Sequence, residues 1–272
     1  MSKVVILGSG AASGVPTISD GWCKCNPQNP KNRRSRAGVY VELGAQKFLV
    51  DTSADIRNQL IDNNIKKVDA VFYTHVHADH VMGIDDLRAL SFRLNEIDGM
   101  NRPKRGRILD IYATSEHIDE IRHRFSYVMV DENNTDSTHR PQLMPHKIEY
   151  LKDVKIGDAV ITPLEFAGHT VTTTGYVFNG GQLVIIPDYK VIPPQTLEYL
   201  QKIDVNVLIM PLTEVTECLY HAGMDIDLRY IDIIKPKRVI FTHLGPECDF
   251  DTVRGICPKN TEPAFDNMEI EL

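Results

Sequence analysis

The chain has no apolar run near the ~18 residues that a membrane-spanning helix needs, so a bilayer span is not expected. Cysteine is scarce and scattered: Cys23, Cys25, Cys218, Cys248 and Cys257 are five in 272 residues. An odd, dispersed set excludes a disulfide framework and fits reduced thiols in a cytoplasm. Positive charge is in deficit, with 30 Lys and Arg against 37 Asp and Glu and a formal charge of −7. Stable, charge-driven binding to nucleic acid is therefore not expected. Internal repeats and low-complexity tracts are also missing. The opening Met1-Ser-Lys-Val-Val-Ile-Leu-Gly is too short an apolar stretch for a signal peptide and reads as a first strand. What is present, 42% hydrophobic and 25% charged residues, is the composition of an ordinary globular protein.

Short β-branched runs bounded by Gly, Asn, Asp or Pro predict strands at Val4–Leu7, Val39–Leu43, Phe48–Asp51, Ala70–Thr74, Ile108–Tyr112, Ala159–Leu164, Gly175–Phe178, Leu183–Pro187, Val205–Met210 and Val239–Thr242, with a last one at Met268–Leu272. Helical spacing is found at Ala54–Asp62, Asp85–Ser91, Ser115–Arg124, Pro194–Gln201 and Asp225–Ile234, with Ser115 as an N-cap. Asn179-Gly180-Gly181 is a hairpin signal. Segments 11–36 and 131–145 read as irregular, and neither separates two self-sufficient patterns. The expectation is α/β, with residues 1–272 forming one domain.

The chemistry concentrates in Tyr73-Thr-His75-Val-His77-Ala-Asp79-His80, directly after an apolar strand. Three of the ten histidines and an aspartate fall within six residues. Imidazoles and a carboxylate are the ligands that Zn²⁺, Mn²⁺ or Fe²⁺ prefer. A solvated polar loop would not need this spacing. Ligand-type residues recur at or after later strands: His169, Asp188, His221 and His243. Each alone reads as an ordinary surface or capping residue; with the first motif they supply enough ligands for two metals.

The pattern His75-x-His77-x-Asp79-His80 with His169, Asp188, His221 and His243 resembles the metallo-β-lactamase superfamily of binuclear hydrolases, and within it the PhnP-type phosphodiesterase branch. That branch is also similar in Leu7-Gly-Ser-Gly…Gly14-Val-Pro16, Cys23-x-Cys25 with Pro30-Lys-Asn-Arg-Arg34, Phe48-Leu-Val-Asp51-Thr-Ser, Gly83-Ile-Asp85-Asp86-Leu-Arg88 and Thr242-His243-Leu-Gly. The resemblance implies a four-layer αβ/βα sandwich holding two divalent ions, zinc or manganese, with iron also compatible. It implies that His75, His77 and His169 bind the first ion, that Asp79, His80 and His243 bind the second, and that Asp188 bridges them. His221 is either a further second-ion ligand or a contact to the substrate phosphate, and is held as a pair with His243. Asp79 is the candidate for passing a proton to the leaving group. Asp51 matches a carboxylate that orients a ligand histidine.

The implied reaction is hydrolysis of a small or cyclic phosphodiester, and family members often pair as homodimers. Thioester, lactone or RNA 3′-end hydrolysis, a one-iron persulfide oxygenase and a non-catalytic metal-binding module stand as alternatives. Two departures from the branch matter. Its structural zinc site needs a third cysteine, where this chain has Asn26-Pro27-Gln28. Cys23 and Cys25 are half a site, Cys248 is a substitute third ligand at best, and two buried thiols is the plainer reading. The usual small hydroxyl residue beside the bridging aspartate is replaced in Pro187-Asp188-Tyr189.

The Gly8–Gly14 stretch fails the dinucleotide pattern, with Ser13 where glycine is required and Pro16 blocking the helix. It reads instead as a turn approaching the metal loop. Lys31, Arg33, Arg34 and Arg36 form either a phosphate-binding cluster or a solvated basic turn. His139 and His146 are further candidates for substrate contact.

Overall fold

Alternation within single strands already separates the layers. In β1 (Lys3–Gly8), Val4 and Ile6 point to one side and Val5 and Leu7 to the other, and all four are buried. In β3 (Gln46–Val50), Phe48 and Val50 join Val4 and Ile6, while Leu49 joins Val5. A strand apolar on both faces must be covered on both faces. The computed structural model describes residues 2–91, 108–130, 141–216 and 218–272.

Two seven-stranded sheets face each other. The first runs in the order β14 (Met268–Glu271), β1, β2 (Gly38–Leu43), β3, β4 (Ala70–Phe72), β5 (Leu109–Thr114), β6 (Leu143–Ile148). It is antiparallel from β14 to β3 and parallel from β3 to β6. The second runs β13 (Thr261–Pro263), β12 (Arg238–Thr242), β11 (Val207–Pro211), β10 (Leu183–Ile185), β9 (Thr173–Phe178), β8 (Ala159–Phe166), β7 (Val154–Ile156). It repeats the plan, antiparallel from β7 to β10 and parallel from β10 to β13.

The inner faces meet in one core, where Phe48, Phe72, Tyr176 and Phe178 pack edge-on or tilted against one another. Each such side chain contributes roughly 1.5–3 kcal/mol by leaving water. On the outer face of the first sheet lie α1 (Ile56–Asp62) and α4 (Ser115–Arg124), which bury Ile56, Leu60, Ile118 and Ile121. The outer face of the second carries α5 (Pro194–Gln201), α6 (Met224–Ile234) and α7 (Phe250–Ile256) through Leu200, Met224, Ile234 and Val253. The result is the four-layer αβ/βα sandwich. Among the described residues no helix is long and apolar enough to cross a membrane.

All eleven strands expected from sequence are present, with ends shifted by a few residues. Asn179–Gly181 makes the β9–β10 hairpin turn, with Gly180 at φ 66° and Gly181 at φ 115°. Among the strands and α-helices of the described residues, β6, β7, β13, α7 and the short helix Ala78–Val81 were not expected. β6 begins at Leu143, inside the segment 131–145 that the sequence predicts to be irregular. The expected helix at Asp85–Ser91 is a 3₁₀ turn, Met82–Leu87, followed by α3 (Arg88–Ser91). The cap of α4 is Thr114, whose hydroxyl accepts from the His117 N–H, rather than Ser115.

Candidate metal centre

The site lies at the carboxyl ends of strands from both sheets. After β4 the chain turns through Tyr73–His77 into α2 (Ala78–Val81), which carries Asp79 and His80. His169 follows β8, Asp188 follows β10, His221 lies in the loop between β11 and α6, and His243 follows β12. Two residues at strand ends adopt left-handed backbone, Asp51 at φ 64° and His243 at φ 55°. Such conformations cost of order 1–3 kcal/mol in non-glycine residues and persist where surrounding structure imposes them. Gly83 lets the 3₁₀ turn lie against the Asp51–Ser53 loop: a Cβ there would stand 2.0 Å from the Ser53 carbonyl oxygen.

Two groups of donor atoms result, His75/His77/His169 and Asp79/His80/Asp188/His243, the second entirely buried. Asp188 joins them. Its Oδ2 lies 3.3 Å from Nε2 of both His80 and His243, and 3.9 Å from Nε2 of His75. Asp79 Oδ2 lies 3.2 Å from His80 Nε2 and 3.3 Å from His243 Nε2.

The imidazoles are anchored from outside and aimed inward. His80 Nδ1 bonds Asp51 Oδ2 at 2.7 Å, and Asp51 in turn accepts from the Thr74 N–H at 2.8 Å and hydroxyl at 2.7 Å. His75 Nδ1 pairs with Thr74 Oγ1 at 3.0 Å, His243 Nδ1 with Thr213 Oγ1 at 3.1 Å, and His169 Nδ1 with the Tyr220 carbonyl at 3.2 Å. His77 is turned the other way, its Nε2 on Thr170 Oγ1 at 2.8 Å and its Nδ1 3.0 Å from His169 Nε2. Fixing one ring nitrogen sets the direction of the other, as metal-binding imidazoles require.

The electrostatics are those of a cation site. Burial opposes ionisation of Asp79, but His243 and His80 outweigh it and hold the carboxyl well below its usual range. Asp188 behaves alike, with His243 and His80 overcoming its burial. Burial disfavours the charged form of His80, yet Asp51, Asp188 and Asp79 raise its pKa well above normal. His75 goes the other way, lowered by burial and by His80. Both His75 Nε2 and His80 Nε2 are buried without a hydrogen-bond partner. Unpartnered buried nitrogens are costly, and two of them facing ionised carboxylates fit divalent ions as the missing partners.

Every expected metal residue except His221 falls in one of the two groups. His221 stands between them, its ring 4.9 Å from that of His169 and 5.8 Å from that of His243. Burial lowers its pKa to about 4, so the imidazole is neutral at pH 7. Sequence reasoning missed Thr170, Thr213 and the Tyr220 carbonyl. Thr170 directly follows His169, but nothing in sequence ties Thr213 to His243, 30 positions away.

The basic cluster is used structurally. Lys31 lies over the Phe250 and Phe265 rings, Arg33 over Trp22, and Arg36 pairs with Asp55 at 3.1 Å. Arg34 is buried, bonding Asn32 Oδ1 at 3.0 Å and the carbonyls of Gly245 at 3.3 Å and Cys248 at 2.7 Å.

Of the two cysteines expected to be buried thiols, Cys25 is one and Cys23 is not. Neither metal-competent group among the described residues contains a cysteine. Arg34 Nη1 lies 3.9 Å from Cys25 Sγ, putting a fixed cation beside the thiol, and burial raises the pKa of both Cys25 and Cys248, the latter to about 11. Cys23 is exposed rather than buried. The turn at Ser9–Ala11 pairs with the loop that carries His243, through Leu244 N to Ser9 O at 2.8 Å and Ala11 N to Leu244 O at 3.2 Å. His146 is engaged with Asp110 at 2.8 Å and stacked on Tyr112, both on the strand beside its own; His139 lies outside the described residues.

Comparison with known proteins agrees with this geometry. Residues 46–244 match the family described as the β-lactamase superfamily domain. A solved diphosphatase from the PhnP family superposes with a TM-score of 0.84 and 27% identity, covering 100% of this chain and 98% of that one. An octanoyltransferase from Porphyromonas gingivalis is 29% identical over 200 residues, 73% of this chain but 37% of that protein. A ribonuclease Z from Methanocaldococcus jannaschii is 27% identical over 119 residues, 43% of this chain and 31% of that protein. The chain thus spans only about a third of the length of these two relatives. By the family match over most of its length and by its paired sheets, the chain belongs to the metallo-β-lactamase superfamily.

Proposed function

We propose that the chain is a hydrolase working with two divalent ions, and that its substrates are small or cyclic phosphodiesters. One observation carries the reading: two donor groups stand side by side with Asp188 reaching both. His75, His77 and His169 would hold one ion, Asp79, His80 and His243 the other, and Asp188 would serve both. Zinc or manganese suits such nitrogen and carboxylate donors. When bound, the ions would supply Lewis acidity and lower the pKa of water toward about 7.

The chain's own groups do the rest. Asp51 and Thr213 keep His80 and His243 aimed. His221, neutral at pH 7, is suited to hydrogen-bonding a phosphoryl oxygen. Asp79 is ionised, so it can accept a proton within the turnover and hand it to the departing oxygen, but cannot start as the acid. Because the site draws ligands from both sheets, residues 1–272 act as one domain. The −7 charge and the structural engagement of Lys31, Arg33, Arg34 and Arg36 favour a small substrate over a polynucleotide. The similarity to a PhnP-family diphosphatase supports phosphorus chemistry.

A second reading, cleavage of an acyl thioester, rests on the octanoyltransferase relative. Assaying wild type and Asp188→Ala on bis-p-nitrophenyl phosphate and on an octanoyl thioester separates the two. Diester turnover that falls by orders of magnitude in the variant supports phosphodiesterase action, whereas turnover of the thioester alone would replace it with the acyl reading.

A further inference from the structure

Behind Asp188 lies a second carboxylate that the proposed reaction does not use. Asp227, in the first turn of α6, is fully buried, and its Oδ1 accepts from the Tyr189 hydroxyl at 2.6 Å. Its Oδ2 is buried with no partner at all. A fully buried carboxyl with a single partner is costly, and an apolar side chain would carry no such cost. What an apolar residue cannot supply is direction.

Tyr189 is where two ligand-bearing segments meet. Its ring is fully buried between Phe166 and Tyr230, at centroid distances of 5.9 and 6.0 Å. Immediately before it is Asp188, whose carbonyl accepts from Thr173 Oγ1 at 2.8 Å. The carbonyl of Tyr189 itself accepts from the N–H of Ala222, the residue after His221, at 3.0 Å. Asp227 is fixed to the same loop from the other side, its N–H on the Gly223 carbonyl at 3.1 Å, while Met224 N bonds Val215 O at 3.0 Å. The phenol–carboxylate bond therefore ties the strand end carrying Asp188 to the loop and helix start that carry His221.

We propose that Asp227, acting through the Tyr189 hydroxyl, is a positioning residue that holds Asp188 in place between the two ions and His221 beside it. This rests on the two-ion reading above. It touches neither substrate nor ion, and works by fixing the backbone from which Asp188 projects.

The test measures metal affinity by competition with a chromophoric chelator, and the visible spectrum of the Co²⁺-substituted protein, for wild type, Asp227→Asn, Asp227→Leu and Tyr189→Phe, with thermal unfolding of each. Asp227→Asn keeps an oxygen that accepts from the phenol and should retain both ions and the wild-type spectrum. Asp227→Leu and Tyr189→Phe should bind the ion pair about tenfold or more weakly, the range for losing a group that orients a ligand, with an altered Co²⁺ spectrum. Wild type with two ions and all variants indistinguishable from it overturns the inference alone. Weaker metal binding that tracks a falling Tm in every variant, Asp227→Asn included, shows a merely structural role and also overturns it. Wild type binding fewer than two ions removes the two-ion reading and this inference with it.

Discussion

Asp227 also makes a prediction that involves no metal chemistry. Burial raises its pKa from 3.8 to about 7, against a smaller lowering by the Tyr189 bond. Between these values the folded protein keeps a proton that the unfolded chain has released. The unfolded state then binds fewer protons, so stability falls as pH rises through this window and levels off above about 7. Three units at about 1.4 kcal/mol each amount to roughly 4 kcal/mol. About 1.7 kcal/mol of that is already lost at pH 5, which leaves about 2.6 kcal/mol to be lost between pH 5 and pH 8. Asp227→Asn abolishes this titration. Its extra N–H, facing the position of the unpartnered oxygen, adds a penalty of about 1–3 kcal/mol that is the same at every pH. Urea unfolding of both proteins at pH 5, 6, 7 and 8, at equal metal loading, should show the variant gaining about 2–3 kcal/mol relative to wild type across the series. Parallel stability curves would refute the reasoning, because Asp227 would then be ionised in the fold throughout.

Other predictions follow from single contacts. Asp51→Asn weakens the anchor on His80 and should lower the affinity of the second ion by 10- to 100-fold, read by chelator competition; unchanged affinity would show that the 2.7 Å bond does not orient the ring. Phe72→Ala empties the centre of the inter-sheet core, where Phe72 is fully buried, and should cost about 3–5 kcal/mol in urea unfolding. Gly83→Ala forces apart the 3₁₀ turn and the Ser53 carbonyl, so both Tm and metal retention should fall; wild-type values would mean the two segments separate freely. Lys202→Ala removes only an exposed pair with Glu198 and should change stability by less than about 1 kcal/mol.

Legibility in the sequence followed burial. Strands such as β3 and β11, covered on both faces, read as continuous apolar runs. The missed ones lie at or near sheet edges: β6 contains Pro145 and His146, β7 has three residues of which none is fully buried, and β13 ends at Pro263. Proline is tolerated there because an edge strand leaves N–H groups unpaired. α7 was missed although Asp249 caps it by accepting from the Thr252 N–H at 3.0 Å; Gly255 and the short length hid its period.

In the site, the candidate donor residues were legible because six consecutive positions carry four of them. Their supports were not, since Thr213 and Asp227 meet His243 and the Asp188–Tyr189 segment only once the second sheet has formed and α6 has packed on it. Sequence also could not show that Arg34 would fold in beside the buried Cys25 while Cys23 stays exposed.

The most direct test of the two-ion account counts metal equivalents per chain on the same sample in which hydrolysis of bis-p-nitrophenyl phosphate and a 2′,3′-cyclic nucleotide is measured, before and after chelation and reloading with Zn²⁺ or Mn²⁺. The account expects two equivalents, loss of diester turnover on chelation and its return on reloading. One equivalent or none, with no metal-dependent diester turnover, would contradict it.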